Sequence, residues 1–187
     1  MRIFKIVAMA ASLLVSSQGF ALIEGQLLVG QRSISVDSSG TSTDYSGLEN
    51  KVSVYLDPIP LIPVGIGITQ SIINFDDTEV SGVNLSLKGS ETSLDLTAWL
   101  PLGIAGFKPY AKVGFIVSGE YTSEVLGTST DLKATGNKIA VGIKYSPLPL
   151  IAFMLEAEKS TVSLEPDNGD SSDSDGTGIL IGAAVGI

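Results

Sequence analysis

From Gly178 to the last residue, apolar character alternates with a period of two. Ile179, Ile181, Ala183, Val185 and Ile187 fall on one face, while Gly178, Leu180, Gly182, Ala184 and Gly186 fall on the other. Successive side chains of an extended strand point to opposite faces, so this spacing specifies a β-strand and excludes an amphipathic helix, whose period is 3.6. One face is wholly aliphatic and the other mostly small. The pattern recurs at Lys138 to Ser146, where Ile139, Val141, Ile143 and Tyr145 oppose Lys138, Ala140, Gly142, Lys144 and Ser146. It recurs again at Ile151 to Ser160, with Ile151, Phe153, Leu155 and Ala157 against Ala152, Met154, Glu156 and Glu158.

Further strands are expected at Tyr110 to Glu120, at Ser93 to Leu100 and around Val52, Val54 and Leu56. In the first, Ala111, Val113, Phe115 and Val117 oppose Tyr110, Lys112, Gly114, Ile116 and Ser118. Ile23 to Val36 alternates only loosely. Val64 to Ile73 loses its phase after Ile68, where Gln70 would face outwards unless a β-bulge near Thr69 restores the pattern. Proline-containing links at Pro58 to Pro63, Pro101 to Gly106 and Ser146 to Pro149 read as short turns. Between them lie four longer polar stretches, Asp37 to Asn50, Asp76 to Glu91, Tyr121 to Gly136 and Glu165 to Thr177, which read as long loops. Alternating short and long connections are the habit of transmembrane barrels. The expected fold is all-β: an eight-stranded antiparallel up-and-down transmembrane β-barrel.

Charge placement separates lipid from water as the medium outside this barrel. A soluble, lipocalin-like binding barrel also alternates, but its outer face must be wetted. Here one face of nearly every clear strand is aliphatic through its centre, and the strand charges sit on the other face. A charge facing lipid at mid-membrane costs roughly 2 to 4 kcal/mol, which explains the segregation. The soluble barrel is therefore the alternative reading, and the Gly-x-Trp that opens lipocalins is missing, the only tryptophan being Trp99.

With these strands and links, the chain resembles the small outer-membrane barrels of the OmpA and OmpX type. The resemblance implies the outer membrane of a Gram-negative bacterium, a lumen too narrow for an open aqueous pore, and external loops as the working surface. Its implied partners are outer-membrane lipid and lipopolysaccharide, the outer-membrane assembly machinery, and any extracellular ligand that meets the loops. Relatives of this type commonly end in an aromatic residue that the machinery reads, whereas this sequence ends in Ile187, with Val185 keeping the outward spacing.

The N-terminus reads as a secretory signal: a basic start at Arg2 and Lys5, an apolar run from Ile6 to Val15, and small residues at Gly19 and Ala21. That run is well short of the roughly 18 to 20 residues of a spanning helix. Residues 1–21 are expected to be the signal and 22–187 the barrel domain, beginning at Leu22. Loss of Arg2 and Lys5 would take the formal net charge from -9 to -11, so nucleic acid is not an expected partner. Cysteine and histidine are both absent, which excludes disulfides, thiolate chemistry and a histidine base.

The inward face is expected to collect Glu24, Asp57, Asp95, Lys112, Lys138, Lys144, Glu156 and Glu158, with Tyr55, Trp99 and Tyr110 beside them. Buried charges are expensive unless paired, so this set reads as a structural polar network filling the lumen. Hairpin register would place Lys144 diagonal to Glu156, and Asp95 diagonal to Lys112. A narrow channel or transporter for small or hydrophobic solutes is the alternative function. No catalytic residue, cofactor or metal is expected. The acidic run Asp167 to Gly176 lacks the glutamate that closes a hand-type calcium loop, and Gly65-Ile66-Gly67 is followed by a strand rather than by the helix of a nucleotide site.

Overall fold

A computed structural model describes residues 22–38, 41–57, 63–80, 83–100, 106–148, 150–166 and 171–186. The expected signal and the links at 58–62, 101–105 and 149 lie outside these residues, as do the acidic segment 167–170 and Ile187. Nine strands follow in order: β1 (Leu22–Ser38), β2 (Thr41–Asp57), β3 (Val64–Phe75), β4 (Thr78–Val80), β5 (Val83–Trp99), β6 (Phe107–Val125), β7 (Thr128–Leu148), β8 (Ile151–Pro166) and β9 (Ser172–Gly186). Neighbours pair antiparallel, and the ring closes through β1 with β9 and β3 with β5. β4 pairs with β5 alone, so the closed barrel has eight strands. Closure supplies every strand of the aliphatic zone with two neighbours, the condition under which backbone can stand in hydrocarbon.

β6 has 19 residues and β7 has 21, about twice the 9 to 11 that cross a membrane. The surplus is in the polar stretches expected as loops. β1 runs to Ser38 and β2 starts at Thr41; β6 ends at Val125 and β7 starts at Thr128. Those stretches are strand in which the hydrophobic phase is inverted, and β8 shows the change within one element. Its outward residues pass from Ile151, Phe153, Leu155 and Ala157 to Lys159 and Thr161, while its inward residues pass from Glu156 and Glu158 to Ser160, Val162 and Leu164. In the lower half the barrel is aliphatic outside and carries its charges within, beside a smaller apolar cluster that includes Leu28, Met154 and Leu180. Beyond it, the barrel is polar outside and closed by an apolar core of Ile34, Tyr45, Ile73, Phe75, Leu87, Ile116, Tyr121, Ala134, Val162 and Leu164. The medium outside dictates this switch: hydrocarbon tolerates no exposed charge, and water permits burial of apolar side chains within.

Two further expectations are corrected. β3 carries no bulge, since its register with β2 and β5 is unbroken. Gln70 does face outwards, and its amide is satisfied laterally: Nε2 donates to Ser90 Oγ at 3.0 Å and Thr92 Oγ1 donates to Oε1 at 2.7 Å. The bulge is in β6 instead, where Thr92 pairs with Ser118 but Ser93 with Ile116. Val117 and Ser118 both face outwards, so Ser118 is not inward as strict alternation requires, and from Gly119 onwards the phase is reversed.

Three tyrosines lock the wall from inside. Tyr55, Tyr110 and Tyr121 each stand directly opposite a glycine on a neighbouring strand, at Gly67, Gly142 and Gly89 respectively. A Cβ at any of these glycines would lie 2.4 Å from the facing ring.

Candidate functional site

The centre of the lumen holds four cations, Arg32, Lys51, Lys112 and Lys138, and four carboxylates, Glu49, Glu91, Glu156 and Glu158, all buried. Their charges balance. Arg32 on β1 reaches across the barrel to Glu91 on β5, donating from both Nη atoms at 3.2 Å, and donates to Ser160 Oγ at 2.9 Å. Lys51 on β2 donates to Glu156 at 3.2 Å and to Glu158 at 2.5 Å. Lys112 is 2.6 Å from Glu156 and donates to Gln26 Oε1 at 3.1 Å. Glu91 also takes Lys138 and the Tyr121 hydroxyl, and Tyr110 donates to Glu156 at 2.9 Å. Charge-assisted bonds of this kind are what make burial of the ions tolerable.

Glu49 is the exception. Its nearest cations are Arg32 at 3.5 Å, Lys51 at 3.9 Å and Lys138 at 4.0 Å, and neither of its oxygens accepts a hydrogen bond from another described residue.

Nearer the end where the chain begins, Lys144 donates to both Glu24 oxygens, at 2.5 and 2.6 Å, and Gln26 donates to Glu24 at 2.7 Å. Asp95 accepts from the Tyr55 hydroxyl at 2.7 Å, from Thr69 at 2.5 Å and from Ser93 at 2.8 Å. Asp57 is half-buried at a cavity of about 200 Å³ lined also by Glu24, Trp99, Tyr110 and Lys144. Above it, the space left between Lys51, Lys112, Glu156 and Glu158 is about 10 Å³. That is at most about one water.

All eight residues expected inside therefore face the lumen, but their partners differ from those expected. The register is as read, with Lys144 opposite Met154, Gly142 opposite Glu156 and Trp99 opposite Tyr110. Lys144 nevertheless pairs with Glu24 rather than Glu156, and Lys112 with Glu156 rather than Asp95. Inward side chains converge on the barrel axis, so a long lysine stem can choose a carboxylate two or more strands away. Ala140 and Gly142 on the intervening β7 leave the space for Lys112 to do so.

Arg32, Glu49, Lys51 and Glu91, half of the central set, were not foreseen. Glu49 and Glu91 fall in stretches read as loops, and Arg32 in the strand of loose alternation. Continuing the period of two from Tyr55 through Ser53 would have placed Lys51 and Glu49 inside, and from Ser93 would have placed Glu91 beside them.

A closed eight-stranded barrel with an aliphatic belt, a charged lumen and a polar outer extension is an integral membrane β-barrel. Residues 6–185 match the outer membrane protein beta-barrel domain family, and the chain belongs to it. It is thereby a protein of the Gram-negative outer membrane, surrounded by that membrane's lipid. Among solved structures, it is similar to Neisserial surface protein A (TM-score 0.67, 11% identity, covering 88% of this chain and 96% of that one). It is also similar to OprG from Pseudomonas aeruginosa (0.53, 14%, covering 90% and 96%) and to Ail, the attachment invasion locus protein of Yersinia pestis (0.51, 15%, covering 88% and 98%). No curated protein sequence matches. Identities this low carry the fold and nothing beyond it.

Proposed function

We propose that this barrel is a non-enzymatic surface protein whose lumen is a structural filling and whose working face is the strand-built extension beyond the membrane. The carrying observation is the layering of the interior: an apolar core of ten side chains, then the eight-charge layer, then a second apolar layer of Leu28, Tyr110, Ala152, Met154, Leu180 and Ala184. A solute would have to displace all three. The cavity of about 200 Å³ at one end is lined by Trp99 and Tyr110 of that second apolar layer together with Glu24, Asp57 and Lys144. Residues 1–21 are proposed to be removed as a signal, leaving β1 to begin the mature chain. Insertion is proposed to be by the outer-membrane assembly machinery.

Recording from the purified barrel in planar bilayers tests this. Silence at all voltages is expected. Stable, reproducible openings abolished by filling the lumen further would overturn the reading in favour of a narrow channel.

A further inference from the structure

We propose that the outer wall across β8, β9, β1 and β2 binds the phosphate of a phosphorylated outer-leaflet lipid, held by Lys159 and a row of hydroxyls. Register places Lys159, Thr177, Ser33 and Ser46 in one line across these four strands. All four are exposed on the outer face. The next line towards the membrane is Ala157, Ile179, Gln31 and Leu48, and Lys159 has Ile139 as its other neighbour. Lys159 thus stands where the aliphatic belt gives way to polar wall, the depth at which lipid phosphates sit. The other two outward lysines of the far half, Lys88 and Lys133, stand among polar neighbours higher on the barrel.

Three observations converge on this line. Lys159 makes no ion pair with any described residue, although the protein has a formal net charge of -9. The carboxylates nearest above it are engaged by hydroxyls: Thr161 donates to Asp175 at 3.0 Å, and Ser35 donates to Asp44. The wall is also hollowed here, with about 430 Å³ bounded by Gln31, Ser33, Ala157, Glu158, Thr177, Gly178 and Ile179, of which Glu158 turns its carboxylate inwards to Lys51. A phosphate seated in that hollow would take the ammonium of Lys159 and the hydroxyls of Thr177 and Ser33, while its acyl chains ran down Ile179, Ile181 and Val29. A cation at the interface is worth roughly 1 kcal/mol towards an anionic lipid, which is about fivefold in affinity.

Native mass spectrometry of the delipidated barrel in non-ionic micelles tests the site with two probes, diphosphorylated lipid A and the same lipid after dephosphorylation, with inorganic phosphate as competitor. The wild type is expected to prefer the phosphorylated lipid about fivefold. Lys159→Met should abolish that preference and Lys88→Met should keep it, both variants retaining the gel mobility of the folded barrel. If Lys159→Met fails to fold, the Ser33→Ala, Thr177→Val double variant serves, with a reduced preference expected. Equal binding of the two lipids by the wild type would overturn the proposal. So would a preference that survives in the variants, or displacement by inorganic phosphate at equal concentration, which would make this a free-anion site. None of these outcomes bears on whether the lumen conducts, so the two proposals fail separately.

Discussion

Glu91 and Glu49 offer a test of what holds the lumen together, because they are alike in everything but their partners. Both are inward carboxylates at 1% and 0% exposure, in the same charge layer and close to the same Arg32. Glu91 accepts from both Nη atoms of Arg32 and from Tyr121, and Lys138 lies against it; Glu49 accepts no hydrogen bond from a described residue. Replacing Glu91 by Gln keeps the shape but removes the charge that offsets Arg32 and Lys138. Breaking a buried pair in this way costs about 3 to 5 kcal/mol. At a urea slope of about 2 kcal/mol per M, the unfolding midpoint in micelles should fall by about 2 M. Glu49→Gln removes a charge that is buried without bonds of its own, so relief of desolvation offsets the lost attraction. Its midpoint should move by less than about 0.5 M, corresponding to about 1 kcal/mol in either direction. Equal losses in the two variants would refute the reasoning, because burial of charge alone, and not the bonds to it, would then set the cost.

Two other perturbations follow from the wall. Gly142→Val would drive a side chain into Tyr110, whose hydroxyl holds Glu156, and should cost about 1 to 3 kcal/mol in the same assay, whereas Gly25→Ala, with nothing within 4 Å, should be neutral. Leu96→Arg on the aliphatic belt should cost about 2 to 4 kcal/mol on refolding into lipid vesicles. Thr135→Arg on the polar extension should stay within about 1 kcal/mol, and equal costs would show that the belt is not where lipid lies.

The period of two made the barrel legible, because a strand with lipid on one side and a packed lumen on the other has only one way to alternate. It also made the β7–β8 and β5–β6 registers legible, since the turns at their ends are short. The upper half was hidden by the same rule applied too literally. In Ser42 to Ser46 and Ser118 to Thr122 the outward residues are polar while Tyr45 and Tyr121 are buried, so Ser, Thr and Asp read as loop where they mark a wetted outer wall. Tyr45 and Phe75, in edge-to-face contact within that extension at 6.2 Å between centroids, carried the missing signal. Ion-pair choice was not legible at all. Register fixes neighbours on the wall, whereas Lys112, Lys144 and Arg32 select partners across a lumen whose free space depends on residues such as Ala140 and Gly142.

The bulge in β6 yields the last prediction, because counting residues through it assigns the wrong face. Up to Ile116 inward and outward positions alternate, and strict alternation would then put Glu120 inside and Tyr121 outside. The protein does the reverse: Tyr121 is buried against Glu91, and Glu120 is exposed. A single extra residue accounts for this, because Val117 and Ser118 share the outward face opposite Thr92. Deleting Ser118 should therefore leave Ile116 inward, Val117 outward, Gly119 inward, Glu120 outward and Tyr121 inward. The pairings of Gly119 with Glu91 and of Glu120 with Lys133 would be retained. The deleted chain is expected to fold into lipid vesicles with the gel mobility of the parent and to lose no more than about 1 kcal/mol, since a regular ladder replaces an irregular one. Deleting Val141 from β7, where the register on both sides is unbroken, has no such outlet. It must turn Lys138 or Lys144 to the lipid and should abolish folding. If the Ser118 deletion failed as the Val141 deletion does, the bulge would be a requirement of the barrel's shape rather than an inserted residue that the wall tolerates.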